Sequence, residues 1–169
     1  MSYRCLVCGE LHEGLPDVGL DKPDYWWGVP EEERDSRVVL FGADACIIDD
    51  EDFFIRGVIE IPIHDYPESF GFGVWVSQKR ENFYTYLDNF NSAEIGPFFG
   101  WLSTNINYFE EDTLSLKTMA HFRGGQQRPR IELDSTEDHP LAVAQRDGIS
   151  LDKAWEIVHF YQDSNQETT

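Results

Sequence analysis

The segment 53–63 constrains the fold more than any other part of this chain. It is rich in β-branched and aromatic residues, which favours a β-strand. Because side chains alternate between the two sides of a strand, one side of this segment is apolar and the other is mixed. The apolar side carries Phe53, Ile55, Ile59 and Ile61, and the mixed side carries Phe54, Arg56, Val58 and Glu60. The pattern predicts a sheet with one buried face and a second face that is not simply exposed to solvent.

Further strands and three helices are expected along the chain. Segments of similar composition predict strands at 38–41, 45–48, 72–76, 98–102, 113–122 and 130–133. Helices are expected to begin after Ser77, His139 and Ser150, because serine is a typical helix N-cap and His139 precedes a proline suited to the first helical turn. The chain therefore predicts an α+β fold, with a largely antiparallel sheet and helices mainly on one face.

The 169 residues are enough for about one domain with a single core. A hydrophobic fraction of 41% and an aromatic fraction of 14% exceed those of a disordered acidic chain. We expect a single domain over residues 1–162, on which an irregular, zinc-knuckle-like N-terminal segment, 1–30, packs. Residues 163–169 are polar and are expected to form a frayed tail.

The formal net charge of −19 limits the choice of partner. Such a field repels phosphate backbones and anionic lipid headgroups, which argues against nucleic acid and membrane surfaces. It attracts positively charged proteins, although strong acidity is also a common means of keeping a protein in solution. No apolar run is long enough for a membrane span, and three cysteines fit a reducing compartment, so we expect a cytoplasmic protein.

The motif Cys5-x-x-Cys8-Gly9 near the N-terminus is typical of half a zinc knuckle. Two thiolates in such a turn can converge on one metal ion, and zinc favours sulfur-rich tetrahedral sites. His12 and Cys46 are the candidates to complete the site, with His64 in reserve. Alternatively, His12 is a loop histidine and Cys46 is a buried apolar cysteine. A redox role for the two motif cysteines is a further alternative.

A basic cluster stands out in this acidic chain. Arginines of this kind can bind a carboxylate or phosphate through two parallel hydrogen bonds. The alternative is internal pairing with the abundant acids, including Glu60 and Glu132. The candidate anion-binding residues are Arg56, His121, Arg123, Arg128 and Arg130.

Motifs of the common enzyme classes are missing from the sequence. It contains no H-E-x-x-H metalloprotease motif, no G-x-S-x-G nucleophile motif, no phosphate-binding loop and no dinucleotide fingerprint. A closed structural zinc site is therefore favoured over a catalytic one, and we name no catalytic residue.

Several strings together resemble a bacterial family known as domain of unknown function 2199. They run from the cysteine motif with Gly14-Leu15-Pro16, through 53–57, 73–77 and 99–102, to Asp138-His139-Pro140-Leu141-Ala142. The resemblance implies no assigned activity and offers no catalytic residue. It places His12 and Cys46 in the same recurrent pattern as the two motif cysteines, which favours one shared site.

These observations favour a protein that acts by binding rather than by catalysis. Its acidity suggests that it neutralises a basic protein partner, as immunity proteins do for secreted bacterial toxins. The alternatives are a small-molecule or anion-binding protein, or enzyme, that uses an arginine and histidine pocket, and a thiol redox protein. The sequence does not predict an oligomeric state.

Overall fold

The computed structural model describes the backbone of residues 3–4, 10–12 and 14–167 and the side chains of residues 10–11 and 14–162. Cys5 and Cys8 lie outside the described residues, as does the side chain of His12. The helices within the described range are α1 (Asp24–Trp27), α2 (Arg34–Arg37), α3 (Arg80–Asp88), α4 (Pro140–Asp147) and α5 (Leu151–Glu167). No helix in this range is long and apolar enough to cross a membrane.

The strands form one small and one large sheet. They are β1 (Tyr3–Arg4), β2 (Leu11–His12), β3 (Val18–Gly19), β4 (Val38–Phe41), β5 (Ala45–Ile48), β6 (Asp52–Ile61), β7 (Phe70–Gln78), β8 (Phe98–Trp101), β9 (Lys117–His121) and β10 (Arg130–Leu133). Strands β1 and β2 pair with each other, and the other eight build the large sheet in the order β3-β7-β6-β10-β9-β8, with β5 also on β6 and β4 on β5. Only the β3–β7 and β6–β10 pairings are parallel among these described strands. The α+β fold with a mostly antiparallel sheet is thus confirmed.

The apolar side of β6 lies in the main core, as its alternation predicts. Ile55, Ile59 and Ile61 are completely buried, and helices α3, α4 and α5 contribute buried side chains to the same cluster. We call this side of the sheet the helix face. Burying such aliphatic side chains stabilises the fold by about 1.5–3 kcal/mol each.

The opposite side of the sheet, which carries Phe54, Arg56, Val58 and Glu60 of β6, is called the arginine face. A second, smaller apolar cluster lies at one end of it. Trp75 and Phe54 are its largest buried members, and Trp26 of α1 packs against them. Trp75 Nε1 donates a hydrogen bond to the carbonyl of Leu20 at 3.1 Å. The segment that precedes α1 is thereby fixed to the sheet.

Two predicted boundaries are wrong in the middle of the chain. Ser77 does not cap a helix, because β7 continues to Gln78 and α3 begins at Arg80. The hydroxyl of Ser77 instead accepts a hydrogen bond from the backbone N–H of Trp101 at 3.0 Å. The predicted strand 113–122 begins only at Lys117, since the chain turns at Ser115, whose φ is 67°.

The C-terminal helices follow the sequence signals more closely. His139 caps α4, with Nδ1 accepting a hydrogen bond from the N–H of Leu141 at 3.0 Å. Ser150 caps α5 through its hydroxyl, which accepts from the N–H of Lys153 at 3.1 Å. Helix α5 continues to Glu167, into the segment expected to fray. No glycine or proline follows the buried stripe, so nothing in the sequence ends the helix there.

Candidate functional site

The metal-site prediction falls largely on the N-terminal residues that the structure does not describe. Strands β1 and β2 are antiparallel, with Tyr3 opposite His12 and Arg4 opposite Leu11. Cys5 and Cys8 belong to the segment that connects these two strands. Among the residues that the structure describes, no group of three or more histidine, cysteine, aspartate or glutamate side chains could hold a metal ion.

Cys46 lies in the second apolar cluster, on β5. It is completely buried among Phe54, Trp75 and their neighbours, and it forms no disulfide. Burial raises the pKa of the Cys46 thiol to about 11, because an apolar environment penalises the thiolate. These surroundings favour the alternative of a buried apolar cysteine, and ligation by Cys46 stays a prediction.

His64, the reserve ligand, is joined to another part of the fold. Its Nε2 lies 2.8 Å from the backbone carbonyl oxygen of Asp147, at the end of α4. The ring also lies beside Gly148, where an added Cβ would approach Nε2 to 2.9 Å. His64 therefore links the end of β6 to the end of α4.

The five candidate anion-binding residues come together on the arginine face. Arg130 is opposite both Val58 of β6 and His121 of β9, which puts all three on one side of the sheet. Arg123 and Arg128 lie at the ends of β9 and β10 on the same side, and the Arg123 guanidinium donates to the carbonyl of Arg128. Arg123, Arg128 and Arg130 flank one turn, and Arg56 joins them from β6. Anion binding by these residues stays a prediction.

Most of this cluster is paired with acids, as the alternative hypothesis predicted. Arg123 Nη1 lies 2.8 Å from Glu60 Oε1, and Arg128 Nε lies 2.9 Å from Asp44 Oδ1. Glu132 lies 3.6 Å from Arg130 Nη1 and 3.5 Å from His121 Nε2. Arg56 differs from the other arginines, since it is buried and forms no ion pair with a described residue. Its Nε has no hydrogen-bond partner among the described residues, and the same holds for His121 Nε2.

A second candidate site is a groove of about 900 Å³ on the helix face, which we call the acidic groove. It lies between the segment 108–111 and helices α4 and α5. Its apolar floor consists of Ile61, Val143, Ala144, Ile149, Ile157 and Phe160. Its rim carries Glu110, Glu111, Asp138, Glu156 and Lys153.

One side of the rim is held by a small polar network. The hydroxyl of Tyr108 donates a hydrogen bond to the carboxylate of Glu156, and Lys153 Nζ lies 3.1 Å from the same oxygen. The bond from Tyr108, followed by the interaction with Lys153, lowers the pKa of Glu156. The pKa of Tyr108 is raised by burial and by this bond. Glu156 therefore remains ionised at pH values at which a glutamate with an ordinary pKa is already protonated.

The other side of the rim is attached to the start of α4. His139 Nε2 lies 2.9 Å from the carbonyl oxygen of Glu111, while its Nδ1 accepts from Leu141. Because Nδ1 is an acceptor, the ring proton is on Nε2 and is donated to Glu111. The bond holds the rim segment against α4. The side chains of Glu110, Glu111 and Asp138 form no ion pair with any described residue.

The acidic groove was missed by sequence reasoning. Its residues come from the segment 108–111, from helix α4 and from helix α5, which are far apart along the chain. The one available signal is Tyr108-Phe109-Glu110-Glu111, where two rings adjoin two carboxylates outside any predicted strand. The bond from His139 to Glu111 brings this segment to α4, and the bond from Tyr108 to Glu156 brings it to α5.

The chain belongs to a bacterial family described as uncharacterised proteins conserved in bacteria, domain of unknown function 2199, whose sequence model matches residues 4–149. The resemblance drawn from the sequence strings is thus confirmed. No curated protein and no solved structure matched the chain. The family carries no assigned activity, so the function has to be argued from the sites themselves.

Proposed function

We propose that this protein acts by binding a basic protein partner, and that the acidic groove receives an apolar, lysine- or arginine-containing segment of that partner. The observation that supports the proposal is the arrangement of four carboxylates around an apolar floor. Glu110, Glu111 and Asp138 are exposed and have no cationic partner among the described residues, while Lys153 is occupied by Glu156.

The two parts of the groove have different roles in this proposal. The floor supplies affinity, because apolar side chains of a partner leave water on contact with Val143 and Phe160. The exposed carboxylates supply steering and selectivity, because the charge of −19 draws cationic chains towards the protein and the rim then pairs with them. Binding should therefore weaken as salt concentration rises.

Peptide binding provides the test. The probe is a fluorescently labelled amphipathic peptide of lysine and leucine, and the measurement is fluorescence anisotropy at two salt concentrations. We expect the double variant Glu110→Lys, Glu111→Lys to weaken binding at least about tenfold, since it replaces attraction at the rim by repulsion. A peptide with serine in place of leucine should also bind more weakly, because it cannot use the apolar floor.

The matched control is Glu31→Lys, Glu32→Lys. These residues lie in the exposed 3₁₀ turn Glu31–Glu33, away from the groove, and the change in net charge is the same. We expect this control to bind within about twofold of the unmodified protein at 0.15 M salt, where charges beyond about 8 Å are screened. Equal loss in both double variants would mean that only overall charge attracts the peptide, and the proposal would fail.

The N-terminal motif is proposed to hold a structural zinc ion through Cys5 and Cys8, with His12 as a further ligand. The support is the C-x-x-C-G sequence itself, together with the pairing of β1 and β2 on either side of the segment that carries the cysteines. A zinc ion there would contribute folding free energy to an N-terminal region rich in loops. We also propose that the protein is cytoplasmic, because a reducing compartment keeps the cysteine thiols available for a metal ion.

Elemental analysis tests the zinc proposal. Protein purified without tag or chelator should contain about one zinc per chain, and Cys5→Ser should lose both the metal and thermal stability. Cys46→Ala should keep the metal and lower the free energy of unfolding by about 1–2 kcal/mol, because Cys46 fills a buried apolar position. Loss of zinc from Cys46→Ala would instead make Cys46 a ligand. Absence of zinc from the unmodified protein would contradict the site altogether.

A further inference from the structure

Arg56 is a buried cation without a hydrogen-bonding partner among the described residues. Only 9% of its surface is exposed, and its Nε is buried with no hydrogen-bond acceptor. No described carboxylate lies within ion-pair distance of its guanidinium. Its Cζ lies 5.9 Å from the centroid of the Trp75 ring, a contact that provides no hydrogen-bond acceptor for the N–H groups. Burying a polar group without a hydrogen bond costs free energy, and buried arginines are normally paired with a carboxylate. This is notable in a chain with 32 acidic residues.

The backbone around Arg56 leaves room for the guanidinium. Nη2 lies 3.3 Å from the position that a Cβ at Gly19 would occupy, and Nη2 and Nε lie 3.8 and 3.9 Å from that position at Gly73. These glycines are opposite each other on β3 and β7. A side chain at Gly19 would crowd the guanidinium. Gly19 is itself exposed, so Nη2 lies close to solvent at this point, whereas Nε is buried beside Gly73.

A second arginine lies next to the first. Burial lowers the pKa of Arg56, and the neighbouring positive charge of Arg128 lowers it further, while Asp21 and Asp44 partly oppose both effects. Arg128 uses Nε to bind Asp44 at 2.9 Å, and its Nη atoms make no hydrogen bond with the described residues. The backbone N–H of Arg56 donates to the carbonyl of the same Asp44 at 2.9 Å, so both arginines contact one residue. The repulsion between their guanidinium groups is only partly compensated by Asp21 and Asp44.

We propose that the arginine face holds a small oxyanion, a carboxylate or phosphate group, between Arg56 as the buried anchor and Arg128 as the second donor. Arginine recognises both groups through two parallel N–H···O bonds, and partial burial strengthens such charge-assisted bonds. The oxyanion would satisfy the orphaned Nε of Arg56 and relieve its repulsion with Arg128. Arg123 contributes no donor, because Nη1 binds Glu60 and Nε and Nη2 bind the carbonyl of Arg128. The charge of Arg130 is balanced by Glu132 at 3.6 Å.

This site is independent of the proposed basic partner. The acidic groove includes Ile61 and lies on the helix face, whereas Arg56 lies on the opposite side of β6. Loss of peptide binding in the groove and loss of anion binding at Arg56 can therefore be observed separately.

Nuclear magnetic resonance of the arginine Nε–H groups tests the proposal directly. The Arg56 signal is assigned from its absence in Arg56→Met, and inorganic phosphate or sodium acetate is added at constant ionic strength, with chloride as the reference. We expect a saturable shift of this signal with phosphate or acetate, and the stronger of the two identifies the ligand class. Arg128→Gln should weaken binding at least about tenfold, which corresponds to the loss of one charge-assisted hydrogen bond.

The control is Arg80→Gln, which removes the same charge from the start of α3, on the helix face. It should bind the anion as the unmodified protein does. If the Arg56 signal does not move with either anion, or if calorimetry shows equal phosphate binding by Arg56→Met and the unmodified protein, the site does not exist as proposed. Because the anion-induced shift is read in the unmodified protein, Arg56→Met has to fold only for the assignment of the signal and for the calorimetry.

Discussion

Replacement of Trp75 by alanine is expected to lower the free energy of unfolding by about 3–5 kcal/mol. Trp75 is 1% exposed and is the largest of the fully buried side chains among the described residues. It fills the second apolar cluster, where Phe54, Cys46 and Val29 surround it. Alanine would leave a cavity that Phe54 and Cys46 cannot close, because they are held in place by β6 and β5.

The effect should extend beyond the cavity. Trp75 Nε1 binds the carbonyl of Leu20, which follows β3 directly in the chain. Loss of this bond weakens the attachment of the segment that leads into α1. Backbone hydrogen exchange should therefore increase around α1 as well as in β7, whereas the backbone bond from the N–H of Trp75 to Thr104 is kept by alanine.

Urea denaturation followed by circular dichroism gives the free energy directly. Trp27→Ala is the matched control, since Trp27 is 62% exposed and the substitution should change stability by no more than about 0.5 kcal/mol. If Trp75→Ala lowered the free energy of unfolding by less than about 1 kcal/mol, the second cluster would contribute little to stability. The description of Cys46 as a tightly packed apolar residue would then be wrong.

The strands were predictable where composition and turns agreed. The predicted bounds 38–41, 45–48 and 130–133 coincide with β4, β5 and β10. Each is a short apolar or alternating run bounded by residues that favour turns, so local information was sufficient. The long strand β6 was also identified with the correct burial of its apolar side.

The errors arose where a residue has two roles that the sequence does not separate. Ser77 suits a helix N-cap, but a serine can also lie in a strand. There its hydroxyl accepts a hydrogen bond from the backbone of β8. The pairing of Phe53 with Gln78 decides the matter, and it lies across the sheet rather than along the chain. Tertiary pairing thus overrides the local signal.

The candidate sites, like the strands, were predictable only where their residues lie close together in the sequence. The arginine cluster was visible because most of its members lie close together in sequence around one turn, but only the sheet register shows which of them acids occupy. Arg56 comes from a distant strand. Its side chain has no hydrogen-bond partner among the described residues, and this depends on the placement of β3, β7 and the ends of β9 and β10. The acidic groove is formed by three separate segments, joined by the bonds from His139 to Glu111 and from Tyr108 to Glu156, so sequence patterns alone did not predict it.

Replacement of Arg56 by methionine is expected to raise the free energy of unfolding by about 1–3 kcal/mol in buffer free of phosphate and carboxylates. Methionine occupies a similar volume and removes a buried cation whose Nε has no acceptor among the described residues. It also removes the repulsion with Arg128 that contributes to the lowered pKa of Arg56. A gain in stability would mean that the fold is better without this guanidinium, as expected for a group maintained for a ligand.

The comparison is Arg128→Met, measured by the same urea denaturation. Arg128 is paired with Asp44, so its removal leaves a carboxylate without its cation and should lower stability or leave it unchanged. The two substitutions remove the same charge from neighbouring positions. A gain in stability in Arg56→Met without a gain in Arg128→Met would identify the Arg56 guanidinium as the destabilising group. A loss of 1 kcal/mol or more in Arg56→Met would show, on the scale of a typical intramolecular hydrogen bond, that the chain itself supplies a partner for Arg56. The anion site would then lose its main argument, because its anchor would already be satisfied.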